Sequence, residues 1–207
     1  MEEQPPPGSQ WYQGEGKTAY TRTCHTPEGE NAPTMGFGVA DGEAPPQIDP
    51  AVVAQTAVDQ MKLVGPDVAG PRAAGKYVVG VPMWLWVHQS PTTYGPNTAS
   101  ATAGGVTVTA TAKVKKIVWR MGDGATETCT GPGTPYKKSY GMKDSPTCGH
   151  RYTKTSAKAP GGKFALNATS TWAIDWQVTG GGGEAGELTE VRETQVQVAV
   201  GEVQVVG

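Results

Sequence analysis

The chain has 207 residues, room for one full domain and a smaller attached region whose core can bury most of its apolar surface without staples. Its 29 glycines and 17 prolines, set among alternating valine runs and six tryptophans, point to a turn-rich β protein rather than disorder. A formal net charge of −2 leaves no basic field, so the expectation is no nucleic-acid partner and no anionic membrane partner.

From Met1 to Gln47 the chain carries Pro5-Pro6-Pro7, many glycines and few periodic apolar positions, which predicts an extended arm. Its start, Met1-Glu2-Glu3-Gln4-Pro5, lacks the cationic and apolar parts of a secretion signal. An acidic, proline-rich opening suits a mature protein whose leader has been removed, so the expected location is secreted or cell-surface. No window approaches about 18 consecutive apolar residues, and no membrane insertion is expected. Gly14-Glu15-Gly16-Lys17-Thr18 resembles the end of a phosphate-binding loop, but Trp11 stands where the first glycine is needed. No buried strand precedes it and no helical run follows, so no nucleotide is expected.

Asp49 suits an N-cap and Pro50 the first helical position, while Val53, Ala57, Met61 and Val64 recur at helical spacing, predicting a helix over about 50–63. Lys76 to Val87 reads as a strand, with Met83, Leu85 and Val87 on one face and Trp84, Trp86 and His88 on the other. Residues 48–98 are thus a helix and strand packing on a β domain at 99–207. In that domain Val106, Val108 and Ala110 alternate with threonines. Ile117, Trp119 and Met121 then alternate with Val118 and Arg120 on a second strand. Phe164, Leu166, Ala168, Trp172, Ile174, Trp176 and Val178 share one parity across a strand long enough that it should bend or bulge. Gly180 to Gly183 then turn the chain into a last strand carrying Val196, Val198 and Val200.

Of the three cysteines, Cys129 and Cys148 bound a stretch rich in Gly, Pro, Thr and Lys, as a loop-closing disulfide would; such a bond stabilises by about 3 kcal/mol and needs an oxidising compartment. Two free thiols, or a metal site drawing on Cys24, His25, Cys129, Cys148 and His150, are the alternatives. The adjacent Cys24-His25 and the isolated Cys129 fit zinc spacing poorly. With the disulfide formed, Cys24 has no assigned partner.

The run Ile117-Val118-Trp119-Arg120-Met121-Gly122-Asp123-Gly124, then His150-Arg151-Tyr152, then Gly162-Lys163-Phe164-Ala165-Leu166, resembles the PKD domain family. That family has a Trp-x-x-Gly-Asp-Gly strand end, a later His-x-Tyr and a Gly-led alternating strand. The resemblance spans about residues 99–206 and implies a seven-stranded immunoglobulin-like (Ig-like) β-sandwich, with Trp119, Gly122, Asp123, Gly124, His150 and Tyr152 in structural roles. Arg120 and Met121 depart from the acidic residue and phenylalanine usual there, and Thr130 to Pro146 is a long insertion. The helix, the Pro-Met-Trp-Leu-Trp strand and the Cys-bounded loop are also similar to a group of exported actinobacterial proteins of unassigned role.

No Gly-x-Ser-x-Gly sequence is present, and His25, His88 and His150 stand in contexts that read as structural, so no catalytic activity and no cofactor are expected. Asp123 alone falls far short of a calcium ligand set. The expected role is an extracellular or cell-envelope interaction module with a protein or glycan partner. The alternative is carbohydrate binding by an exposed Trp84–Trp86 ladder, unless the helix covers that face.

Overall fold

The computed structural model describes residues 48–179 and 183–202, and before them the backbone of two strands, β1 (Lys17–Thr21) and β2 (Gly36–Ala40). These two pair antiparallel, Lys17 opposite Ala40, where the sequence predicts only an extended arm. Lys17 and Thr18 thus open a strand, not the helix that follows a phosphate loop. The rest of that arm, with Cys24 and His25, lies outside the described residues. The chain divides into two compact units, Met1–Gln47 and Ile48–Gly207.

The second unit is mainly β. The helix forms as its cap signals predict: α1 (Pro50–Gln60) starts at Asp49, whose Oδ1 accepts the Ala51 amide at 2.8 Å. Val53, Ala54, Ala57, Val58 and Met61 are buried, but Val64 lies beyond the helix and is exposed. Lys62 turns into the left-handed region, φ 50°, and ends the periodicity three residues early.

Next come β3 (Asp67–Gly70), β4 (Lys76–Val78), β5 (Met83–Trp84) and β6 (Trp86–His88). The single strand expected over 76–87 is therefore broken. The Val81 amide bonds Val78 O, and Gly80 sits at φ 77°, so a turn separates β4 from β5.

The main sheet is built from β7 (Asn97–Ala103), β8 (Val106–Arg120), β9 (Thr126–Cys129), β11 (Phe164–Thr179) and β12 (Ala185–Gly201), with β4 at its edge. Its order is β4-β12-β11-β8-β7, and β9 pairs with β8 beyond the end of β7. All pairings are antiparallel except the parallel β12–β4. Helix α1 lies across β7, β8 and β11, where Ala101, Ala110 and Ala112 let it approach closely. β3 pairs with β6, and β5 with the two-residue β10 (Gly149–His150). Their buried Met83, Leu85 and Val87 join the same core as Trp119, Leu166, Trp172 and Val198.

The two strands expected around 106–121 are one. β8 runs for 15 residues, and Lys115 is a bulge: Trp172 faces Val114 while Thr171 faces Lys116. Inner positions are even up to Val114 and odd from Ile117, yet both sets lie on the same face, opposite Trp172, Ser170 and Ala168. One extra residue switches the sequence parity without switching the face.

Deleting Lys115 should therefore remove the bulge, regularise the ladder and leave a single cooperative melting transition. Deleting Ala112 should force either Val108 and Ala110 outward or, if the bulge is lost instead, Val114 outward and Lys113 and Lys115 inward, and either way abolish it, since burial of that face holds a domain whose total stability is only about 5–15 kcal/mol. Circular dichroism melts of both variants decide it, and a cooperative Ala112 deletion would refute the register.

Candidate functional site

The three parts of the sequence motif meet at one corner. β8 passes into β9 through Met121–Ala125, closed by the Met121 amide on Ala125 O at 3.0 Å. Gly122, at φ 79°, lies against β11; a Cβ there would stand 2.7 Å from Ala165 O, so only glycine fits. Asp123 Oδ1 accepts the Ala125 amide at 2.9 Å and Oδ2 lies 3.1 Å from His150 Nε2. The other ring nitrogen, His150 Nδ1, lies 3.0 Å from Glu127 Oε1. Carboxylates only accept, so the ring donates to one when neutral and to both when it carries two protons. Tyr152 packs edge-on to His150 and stacks on Phe164, and its hydroxyl donates to Met121 O at 2.9 Å. Burial, reinforced by the Asp123 carboxylate and by Tyr77, pushes the Tyr152 phenol far above its ordinary value of 10.0.

Trp119 is fully buried beside Ile117 and Met121, and its indole N–H has no hydrogen-bond partner among the described residues, so packing is what holds it there. Gly124, at φ 102°, completes the turn. Sequence reasoning missed Glu127: only the β8–β9 register, which sets it opposite Trp119, brings its carboxylate to His150.

The second cluster is the insertion. Cys129 and Cys148 form a disulfide-compatible pair with Cα atoms 5.8 Å apart. The segment between them packs on β5 and β6, with the Val87 amide on Pro132 O and the Leu85 amide on Cys148 O. Trp84 is only 7% exposed. Tyr140 stacks on it at 5.0 Å, Tyr136 meets it edge-on at 5.5 Å, and Lys143 O accepts its indole N–H at 2.9 Å.

The exposed Trp84–Trp86 ladder is therefore not present, and its cover is this insertion, not the helix. Trp86 is half-buried, packed beside Gly70 and Gly133 and edge-on to the exposed His88. Tyr136 and Tyr140 gave no signal in the sequence because the segment has no periodicity to place them.

Among the described residues no cluster of three or more His, Cys, Asp and Glu side chains is arranged to hold a metal. Both oxygens of Asp123 are engaged, and both nitrogens of His150 face carboxylates. A groove of about 560 Å³ lies between β4, the end of β12 and the 155–162 loop, and its buried Ser156 is engaged with Gly162 O and Val200. No histidine lines it.

Truncating Trp119 to Ala should cost about 3–5 kcal/mol and lower the melting temperature by about 10 °C. Trp84→Ala should lower it less, and should open the insertion to trypsin at Lys137 and Lys138; unchanged melting in the first or unchanged cleavage in the second contradicts the packing described.

Tyr152 gives a pH test. Its folded-state pKa is raised, so the neutral phenol's contribution is complete below about pH 10 and is lost as pH rises further. Tyr152→Phe should cost about 1–3 kcal/mol at neutral pH by stranding Met121 O. Between about pH 10 and about pH 11.5 its stability should fall less steeply than wild type, by up to about 1.4 kcal/mol per pH unit in urea titrations. Parallel curves would show that Tyr152 does not resist ionisation.

No family model, curated protein or solved structure matches the chain in any of the three comparisons.

Proposed function

We propose that the chain is an extracellular or cell-envelope interaction module without catalytic activity, its β domain a PKD-like, Ig-like sandwich that serves as a rigid mount. The observation that carries this reading is how the chemically capable residues are used. Asp123, His150, Glu127 and Tyr152 are committed to one another and to backbone groups at the β8–β9 corner. A general base needs a free lone pair aimed at a substrate position, and none of these contacts leaves His150 so placed. The same corner joins the residues through which the chain resembles the PKD family.

The Cys129–Cys148 pair supports an oxidising compartment, since the stabilisation of about 3 kcal/mol expected for a loop of this length is available only where thiols oxidise. The partner is a protein or a glycan. Binding by a two-tryptophan ladder is disfavoured because Tyr140 already occupies the face of Trp84.

The full chain, made under oxidising conditions, should bind isolated cell envelope saturably and reversibly, with the envelope polymers unchanged by mass spectrometry and with Cys129 and Cys148 protected from alkylation. Release of soluble cleavage products would make it an enzyme. Full labelling of both thiols in the folded protein would remove the support for export.

A further inference from the structure

The net charge of −2 conceals a strong segregation along the chain. Between Lys113 and Lys163 lie 11 Lys and Arg against only three acidic residues, while the remainder holds 6 basic and 16 acidic residues. All three acids of the basic segment are engaged locally: Asp123 and Glu127 face His150, and Asp144 pairs with Arg151 at 2.8 Å. They are not free to neutralise the insertion. Lys137, Lys138 and Lys143 there are exposed, and none pairs with a carboxylate among the described residues.

These lysines sit on a loop closed upon itself. The Tyr140 amide bonds Lys137 O, the Gly141 amide Lys138 O and the Lys143 amide Tyr140 O, while the Tyr136 hydroxyl donates to Gly141 O at 3.2 Å. Beneath, Trp84 holds Tyr140 by stacking and Lys143 by its indole N–H. Tyr136 is thus held by its hydroxyl and against the Trp84 ring yet 45% exposed, and Met142 on the same loop is 62% exposed. A half-open aromatic ring that cannot swing away is a preorganised platform for stacking, and it loses little entropy on binding.

We propose that residues 136–143 are a docking surface for an acidic polysaccharide of the uronate type, a sugar ring stacking on Tyr136 and ring carboxylates meeting Lys137, Lys138 and Lys143. This rests on the reading of the chain as an interaction module and names the partner. Charge complementarity selects an anion. Lysines are point charges without the planar fork of arginine, which suits repeated charges along a polymer better than one bidentate group. The tethered Tyr136 and a single exposed methionine offer too little free apolar surface for a lipid interface. Lys137 follows the stacking ring directly, and Lys143 lies two residues past the carbonyl that ring is tied to. The three cations thus lie along the same short segment as the ring, so a polymer with an acid on each sugar presents charge wherever its chain crosses them.

The test uses the full chain with its disulfide intact, titrated with polygalacturonate, with the same polymer fully methyl-esterified, and with phosphatidylglycerol vesicles. Binding to polygalacturonate should weaken about tenfold or more between about 50 mM and about 200 mM salt. The methyl ester and the vesicles should not bind. Lys137→Ala/Lys138→Ala/Lys143→Ala should lose about tenfold or more in affinity, and Tyr136→Ala roughly threefold to tenfold, with melting temperatures confirming that both fold. Equal binding by the triple variant, or binding to the vesicles in place of the polyuronate, would overturn the proposal. If the protein binds isolated envelope but no polyuronate, the docking surface fails and the module reading stands; if it binds neither, both fail.

Discussion

β11 keeps one face inward for all of Phe164 to Trp176, and every other element of the β domain has to match that unbroken row. A strand's side-chain period admits no fractional error, so a neighbour with one residue too many must either turn its apolar set to solvent or expel the surplus. β8 expels Lys115. Its two halves then serve different neighbours: β7 pairs along 106–112 and β9 along 117–120, so the bulge marks where the helix-covered part of the sheet gives way to the motif corner. On the solvent face of the first part, Thr98, Ser100 and Thr102 pair hydroxyls with Thr111, Thr109 and Thr107 at 2.8–3.0 Å, which secures an edge strand too poor in apolar residues to stand out.

What the sequence made legible follows the same physics. Alternation marked β11, the valines of β12 and both halves of β8, and the Asp49-Pro50 pair marked the helix start. Reading β8 as two strands was the natural result of a parity change, since a bulge and a strand break look alike without the partner's register. The first half of β12 was not legible, because its inward positions include Glu190, Arg192 and Thr194. They are polar because they meet the helix layer rather than the apolar core: Gln55 Nε2 bonds Glu190, and Arg192 bonds both Glu190 and Leu63 O. A pattern that tests for apolar alternation passes over a strand whose inner face is a hydrogen-bonded seam.

The candidate sites divide in the same way. Trp119, Gly122, Asp123, His150 and Tyr152 are singled out by the resemblance of their motif to a known family, and the structure joins them within one corner. The cover over Trp84 could not be found that way, since Tyr136, Tyr140 and Lys143 act through a closed loop with no repeating pattern. Overall charge was similarly misleading: an average near neutrality gave no sign that the cations collect between Lys113 and Lys163.

The insertion also supplies backbone acceptors to the strand it covers. The amides of Leu85 and Val87 donate to Cys148 O and Pro132 O, on the two arms of the cysteine-bounded loop, and Gly133 lies so close to Leu85 O and Trp86 that no larger residue fits. Release of either arm of the insertion therefore frees the Leu85 or Val87 amide, which couples the base of the loop to the strand in hydrogen exchange. The protons on Leu85 and Val87 become clocks for a loop elsewhere in the sequence, and the slowness of their exchange measures how firmly its two arms are held against the strand.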